Sequence, residues 1–350
     1  MTTLWFILVA GMLSVYVVLD GFDLGAGVIH LFAARTDAER RTILRAIGPV
    51  WDGNEVWLIA AGGTLFFTFP MLYASGFSGF YLPLIIVLWL LMGRGVAIEL
   101  RSHLRNPVWS SFWDGVFFLA SALLTLFFGA ALANVVRGVP LDRAGYFFEP
   151  LWTNFDPRSP QPGILDWYTI LIGLLACAAL TMHGAAYIAG KTTGPVNERA
   201  RRIVFRAWLA TVGLTALGTI ATFWIRHSLL TRFGDQPWGL IFPLAALGGL
   251  ALAGHANSRG QERAAFLASS LFLLGLLAAT AFSLYPNLLP GIISANSLTI
   301  HNAAAGDYGL KVGLIWWIIG MILAATYAII TYRLFRGRVE MPEQREATVE

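Results

Sequence analysis

The stretch Leu4-Trp-Phe-Ile-Leu-Val-Ala-Gly-Met-Leu-Ser-Val-Tyr-Val-Val-Leu19 holds no charge and runs straight into Asp20-Gly-Phe-Asp-Leu-Gly-Ala-Gly27. An unbroken apolar run, without strand-like alternation, reads as a helix long enough to cross a bilayer, where roughly 20 apolar residues suffice. In lipid only a helix or a closed barrel satisfies its own backbone, and continuous runs select the helix. The start Met1-Thr2-Thr3 has no basic residue ahead of this run, so the segment reads as a retained first span rather than a cleaved signal.

Working outward, the same pattern recurs along the 350 residues. Candidate spans fall at about 4–30, 51–73, 78–99, 113–136, 164–188, 203–225, 238–254, 265–285 and 311–333. The seventh is short and carries Pro243. The fold class is therefore an all-α integral membrane protein with about nine transmembrane helices. It forms one polytopic domain, 1–350, ending in a tail, 335–350. Composition agrees: 57% of residues are apolar and 13% charged, half the charge of an ordinary soluble domain. The one cysteine, Cys177, excludes an intrachain disulfide, a four-cysteine metal site and a c-type haem attachment motif. The net charge of +4 calls for no nucleic acid, because the basic residues sit in short loops.

Those loops set the orientation. With the N-terminus outside, seventeen of the 24 Lys and Arg residues, among them Arg40, Arg41, Arg45, Arg101, Arg105, Lys191, Arg199 and Arg345, fall in cytoplasmic segments. Six fall outside, and Arg94 lies within a span. This bias places the C-terminus in the cytoplasm.

Ionisable groups at membrane depth are functional candidates by default. Asp20 and Asp23 are three apart, on one helix face; Asp20 lies about 24 Å along from Leu4, in the cytoplasmic half. Asp52 and Glu55 open the second span within Gly48-Pro-Val-Trp-Asp-Gly-Asn-Glu-Val-Trp-Leu58, again sharing a face. Arg94 and Glu99 lie in Gly93-Arg-Gly-Val-Ala-Ile-Glu99, at the cytoplasmic end of the third span. The topology converges these clusters, with Asp52 expected to face the Asp20/Asp23 pair and His183 in the same leaflet. A chain of carboxylates opening to the cytoplasm suits proton uptake, with Arg94 tuning the acids. Plainer readings fit the same residues. Asp52 and Glu55 suit a helix start, Asp20 with Arg94 suits a structural ion pair, and His183 suits a packing histidine. No facing histidine pair lies in mid-membrane, so neither an axial haem site nor a metal-ligand spacing is found.

The motifs Asp20–Gly27, Gly48–Leu58, Phe77-Ser-Gly-Phe-Tyr81, Gly93–Glu99 and Asn296-Ser-Leu-Thr299 together resemble subunit II of the cytochrome bd-type quinol oxidases, in order and spacing, over essentially the whole chain. The resemblance implies two four-helix bundles plus one peripheral helix, in the bacterial cytoplasmic (inner) membrane. It implies a respiratory quinol:dioxygen oxidoreductase whose b-type haems and haem d belong to a partner, subunit I, while this chain supplies no haem ligands. It assigns proton uptake to the aspartate of the Trp-Asp-Gly-Asn motif, here Asp52; the convergence of the acids adds Glu55, Asp20 and Asp23 to the pathway. Trp51, Asn54, Trp57, Arg94, Glu99 and His183 stand as its supporting residues. Some members hold a structural quinone or small single-span subunits. Two other classes compete on the residues alone: a proton-coupled secondary transporter, and a purely structural partner of the oxidase.

Overall fold

The computed structural model describes residues 1–104 and 106–339; Arg105, Arg345 and the tail beyond Val339 lie outside the described residues. Twelve α-helices occur among the described residues: α1 (Thr2–Ala33), α2 (Asp37–Ile47), α3 (Trp51–Thr68), α4 (Pro70–Gly79), α5 (Tyr81–Leu100), α6 (Pro107–Arg137), α7 (Trp167–Lys191), α8 (Gly194–Ile225), α9 (Ser228–Asp235), α10 (Ile241–Ser258), α11 (Glu262–Leu284) and α12 (Asp307–Leu334). Eight helical segments are long and apolar enough to cross a membrane: α1, α5, α6, α7, α8, Pro237–Ser258, α11 and α12. The remaining helix of comparable length, α3, has 18 residues and begins with the polar run Asp52-Gly-Asn-Glu55.

Local chemistry sets the boundaries. The second expected span, 51–73, is not one helix. It breaks at Phe69 (φ −132°, ψ 64°), because Pro70 has no N–H to continue the ladder and pushes its predecessor out of helical geometry. Pro243, by contrast, falls in the first turn of α10, where a missing N–H is harmless. The fourth span starts earlier than expected: Asn106 caps α6 by accepting from Val108 and Trp109 N–H, with Pro107 at the first helical position. Asp166 caps α7 in the same way. The short α2 has a full capping box, with Thr36 accepting from Glu39 N–H and the Glu39 carboxylate accepting from Thr36 N–H.

The helices pack as two groups. In the first, α1 lies against α3 and α6, and α5 against α6; in the second, α7 packs on α8 and α11, and α10 on α8 and α11. Helix α1 also packs on α7 and α11, and α6 on α7, so these two helices join the groups. The joint is backbone on backbone. A Cβ on Gly25 would lie 2.0 Å from the Leu180 carbonyl oxygen, and one on Gly184 2.4 Å from the Gly25 carbonyl carbon. Only glycine allows that approach. Helix α12 is peripheral, with Leu310 its one buried residue. Two four-helix groups with an outlying helix is the expected architecture.

At the end opposite α2, the antiparallel strands β1 (Asn287–Leu289) and β2 (Leu298–Thr299) pin the long 138–166 loop. Asn296 Nδ2 donates to the Leu141 carbonyl (2.8 Å), and Gly79 leaves room for the Phe147 ring. The Phe77–Tyr81 and Asn296–Thr299 motifs therefore serve this loop packing.

Candidate functional site

The centre of the first group is polar. Arg94, fully buried on α5, donates Nη1 to Asp20 Oδ1 on α1 (2.7 Å) and Nη2 to Glu55 Oε2 on α3 (2.7 Å). Asn54, one residue before Glu55, donates Nδ2 to Asp23 Oδ2 (2.7 Å), and Tyr332 on α12 donates its hydroxyl to Asn54 Oδ1 (2.9 Å). Asp20 and Asp23 are buried, while the Glu55 side chain retains 21% exposure. Asp20 Oδ2, Asp23 Oδ1 and the Tyr16 hydroxyl, all buried, have no protein hydrogen-bond partner among the described residues. Two carboxylates thus share one guanidinium, and a third, Asp23, is held beside them by Asn54.

Asp52 departs from expectation. It is exposed, makes no side-chain hydrogen bond or ion pair among the described residues, and lines a cavity of about 330 Å³ with Trp57, Tyr327 and Tyr332, between α3 and α12. It does not face the Asp20/Asp23 pair; Asn54 and Glu55, further round the helix, do. Spacing places Asp52 near Glu55, but the rotation of α3 against α1 decides which side chain points inward. Nor does a side chain cap α3, whose N-cap is Val50; Asp52 contributes there only as an acid in the first turn.

Two further residues stand outside the cluster. Glu99 is exposed and borders another cavity with Arg41, Arg45 and Trp51; Trp51 also packs near Gly95. His183 is buried behind α1. Its Nδ1 pairs with Ser269 Oγ (2.8 Å) and its Nε2 with the Val18 carbonyl (2.9 Å), while the ring stacks on Phe266. That is a packing histidine, as the plainer reading has it.

Two networks went unseen in the sequence. On the α2 side, buried Asp114 on α6 accepts from Arg101 Nε (2.6 Å) and Arg40 Nη1 (2.8 Å) and pairs with His30 Nε2 (2.6 Å). Arg101 also reaches Asp37 (2.8 Å), which holds Arg41 (2.7 Å). Partial burial pushes the Asp37 carboxyl up, but the hydrogen bonds from Arg41 and Arg101 outweigh it and hold the group below its ordinary value. At the opposite end, Arg137 binds Asp166, Glu149 (2.9 Å) and Asn134 (2.6 Å). Burial pushes the Glu149 carboxyl up to about 7 despite Arg137. These residues lie far apart in the chain and form no motif; a lone acid or base near a span end was the only available signal.

The family model described as cytochrome bd terminal oxidase subunit II matches residues 1–335. The chain belongs to that family. It is 33% identical over 350 residues to the cytochrome bd ubiquinol oxidase subunit 2 of Bacillus subtilis, covering 97% of each chain. It is 30% identical over 369 residues to the cytochrome bd-I ubiquinol oxidase subunit 2 of Escherichia coli K12, covering 96% of this chain and 94% of that one. Its fold matches the bd oxidase structure from Geobacillus thermodenitrificans with a TM-score of 0.74 at 18% identity, over 95% of this chain and 98% of that chain. Membership in a subunit II family sets aside the transporter reading, and it implies a partner subunit in a haem-containing oxidase complex.

The two buried histidines, His30 and His183, differ in how their ring nitrogens are engaged. Both ring nitrogens of His183 are hydrogen-bonded. His30 pairs Nε2 with Asp114 and is packed edge-on by Phe117, while its buried Nδ1 has no protein partner among the described residues. Among the described residues no group of three His, Cys, Asp or Glu is placed to hold a metal ion.

Proposed function

We propose that this chain is the non-haem subunit of a quinol-oxidising, dioxygen-reducing membrane complex. It stabilises a haem-bearing subunit I and carries protons inward from the cytoplasm. The relatives from B. subtilis and E. coli are named as subunits of ubiquinol oxidases, and quinol is the substrate class taken over here. One observation carries the proton role: carboxylates of decreasing exposure lead inward from Asp52 at the surface, through half-buried Glu55, to buried Asp20 on the far side of Arg94. Asp52 collects protons at the start of α3. Glu55 relays them, and Arg94 fixes Glu55 and Asp20 on one guanidinium fork, so a proton gained by one acid loosens its hold and tightens the other's. Asp23, Asn54 and Tyr332 form a side branch toward α12.

Orientation is part of the proposal. The basic connections gather at one end, where Arg199 donates to the Ala33 carbonyl and Arg338 pairs with Glu262; that end is assigned to the cytoplasm. All nine long helices, α3 with the short α4 included, are taken as membrane-spanning.

The deciding experiment is quinol-driven oxygen consumption per mole of haem d in the assembled complex. Asp52→Asn keeps shape and removes the titratable proton. Turnover is expected to fall at least tenfold, about 1.4 kcal/mol on the limiting barrier, with assembly near wild type. Near-normal turnover would remove Asp52 from the path. The purely structural reading has its own support, since Arg94 ties α1, α3 and α5 into one triad; loss of assembly without a change in turnover per haem would favour it.

A further inference from the structure

At the α2 end, two adjoining cavities open between the α2–α3 corner and the end of α12. One, about 530 Å³, is walled by Arg41, Arg45, Trp51, Ile98, Glu99 and Phe335. The other, about 250 Å³, shares Arg45 and Phe335 with it and adds Lys191 and Arg338. Four cations and one carboxylate therefore line the pair. Three of the cations are already engaged: Arg41 with Asp37, Arg338 with Glu262, and Lys191 with the Phe335 and Gly337 carbonyls. Arg45 is exposed and has no ion pair or side-chain hydrogen bond among the described residues. It stands where the two cavities meet, beside the start of α3, whose first-turn N–H groups add positive potential.

We propose that this groove binds the headgroup of an anionic phospholipid. A soluble anion would be served by the cations alone, but here they adjoin an apolar wall. Phe335 follows directly on the exposed apolar surface of α12, where Ile330 is 60% and Leu334 73% exposed, and Ile98 lines the same cavity. A ligand that is negative at one end and apolar along its length matches both halves. Basic pockets between helices at a bilayer surface commonly take such headgroups, with Trp side chains at the same level. The phosphate sits against Arg45, with Arg41 and Lys191 flanking, and an acyl chain follows Phe335 along α12. Glu99 opposes the phosphate and moderates the affinity.

The test uses the purified, assembled complex, titrated with phosphatidylglycerol or with phosphatidylcholine of the same acyl chains and read by native mass spectrometry. The wild type is expected to retain one phosphatidylglycerol at least fivefold more than phosphatidylcholine. R45E should cut that retention at least fivefold, and E99Q should raise it. Equal retention of the two lipids, or unchanged phosphatidylglycerol binding in R45E, overturns the proposal. So does displacement of the lipid by millimolar inorganic phosphate, which would make the groove a site for soluble anions. If R45E does not assemble, R45Q and the wild-type lipid comparison decide.

Discussion

The two charge clusters near the α2 end are built with opposite surpluses. Around Arg94, two carboxylates share one guanidinium and a third, Asp23, lies beside them on Asn54; around Asp114, two guanidiniums and an imidazole share one carboxylate. Both are buried, and both tie helices together, yet their chemistry differs. A carboxylate that loses its partner can be neutralised by a proton, whereas a guanidinium in a protein cannot give one up. Under the proposed function the acid-rich cluster is the one that takes part in turnover, whereas the base-rich one is a clamp holding α2 onto α1, α5 and α6.

The strongest test of that asymmetry is removal of the central group from each. Asp114→Asn removes the buried carboxylate that Arg40, His30 and Arg101 share and leaves Arg101, 2% exposed, only the exposed Asp37, and is expected to cost about 3–5 kcal/mol. It should appear as a large drop in yield and Tm of the assembled complex. Arg94→Gln leaves acids that can take up protons, so its cost is expected at about 1–3 kcal/mol. If Arg94→Gln proves the more damaging, the division into titrating and fixed clusters is wrong.

A kinetic comparison comes next in size. Glu55→Gln, inside the acid-rich cluster, should lower oxygen consumption per haem at least tenfold, about 1.4 kcal/mol. Glu99→Gln, on the same face but outside the cluster, should leave it within twofold. Equal effects would show that nearness to the surface, not membership of the Arg94 cluster, controls the rate.

The outer network sharpens the rule with pH. Glu149 and Asp166 share Arg137, again an acid surplus, and the Glu149 carboxyl stands at about 7. Because its folded value is raised, the folded protein holds this proton more tightly than the unfolded chain. The stabilisation is full below the unfolded value near 4.5 and is lost as pH rises through about 7. Between pH 6 and 7 the loss should be about 1 kcal/mol. A falling Tm over that range is expected, and Glu149→Gln should flatten it. An unchanged slope in the variant would place the pH dependence elsewhere.

Much of this was legible in the chain. Long uncharged runs leave no alternative to spanning helices, and the Asp20, Glu55 and Arg94 segments had to meet once short connections folded them back at one end. Two kinds of detail were not legible. Helix rotation is one: residues three apart share a face, but nothing in the spacing says which face meets the neighbour, so Asp52 was placed inward when Asn54 and Glu55 are. Partners distant in sequence are the other. Asp114 stands alone among apolar residues, and only the packing of α6 beside α1 and α5 brings it to His30, Arg40 and Arg101. Pro70 was a readable signal of the helix break at Phe69.

The joining role of α1 has a consequence for how the protein is made. This helix is synthesised before the partners it needs: Arg94 follows Asp20 by 74 residues, and His183 follows Val18 by 165. At translation rates of roughly 5–20 residues per second, the acid waits about 4–15 s for its guanidinium, and the glycine face about 8–30 s for α7. During that interval a helix with two carboxylates and a bare backbone stripe is held without its neighbours, beside the insertion machinery or partly outside the lipid. The order of synthesis thus gives α1 a stage, absent from the finished fold, in which Asp20 has no guanidinium beside it.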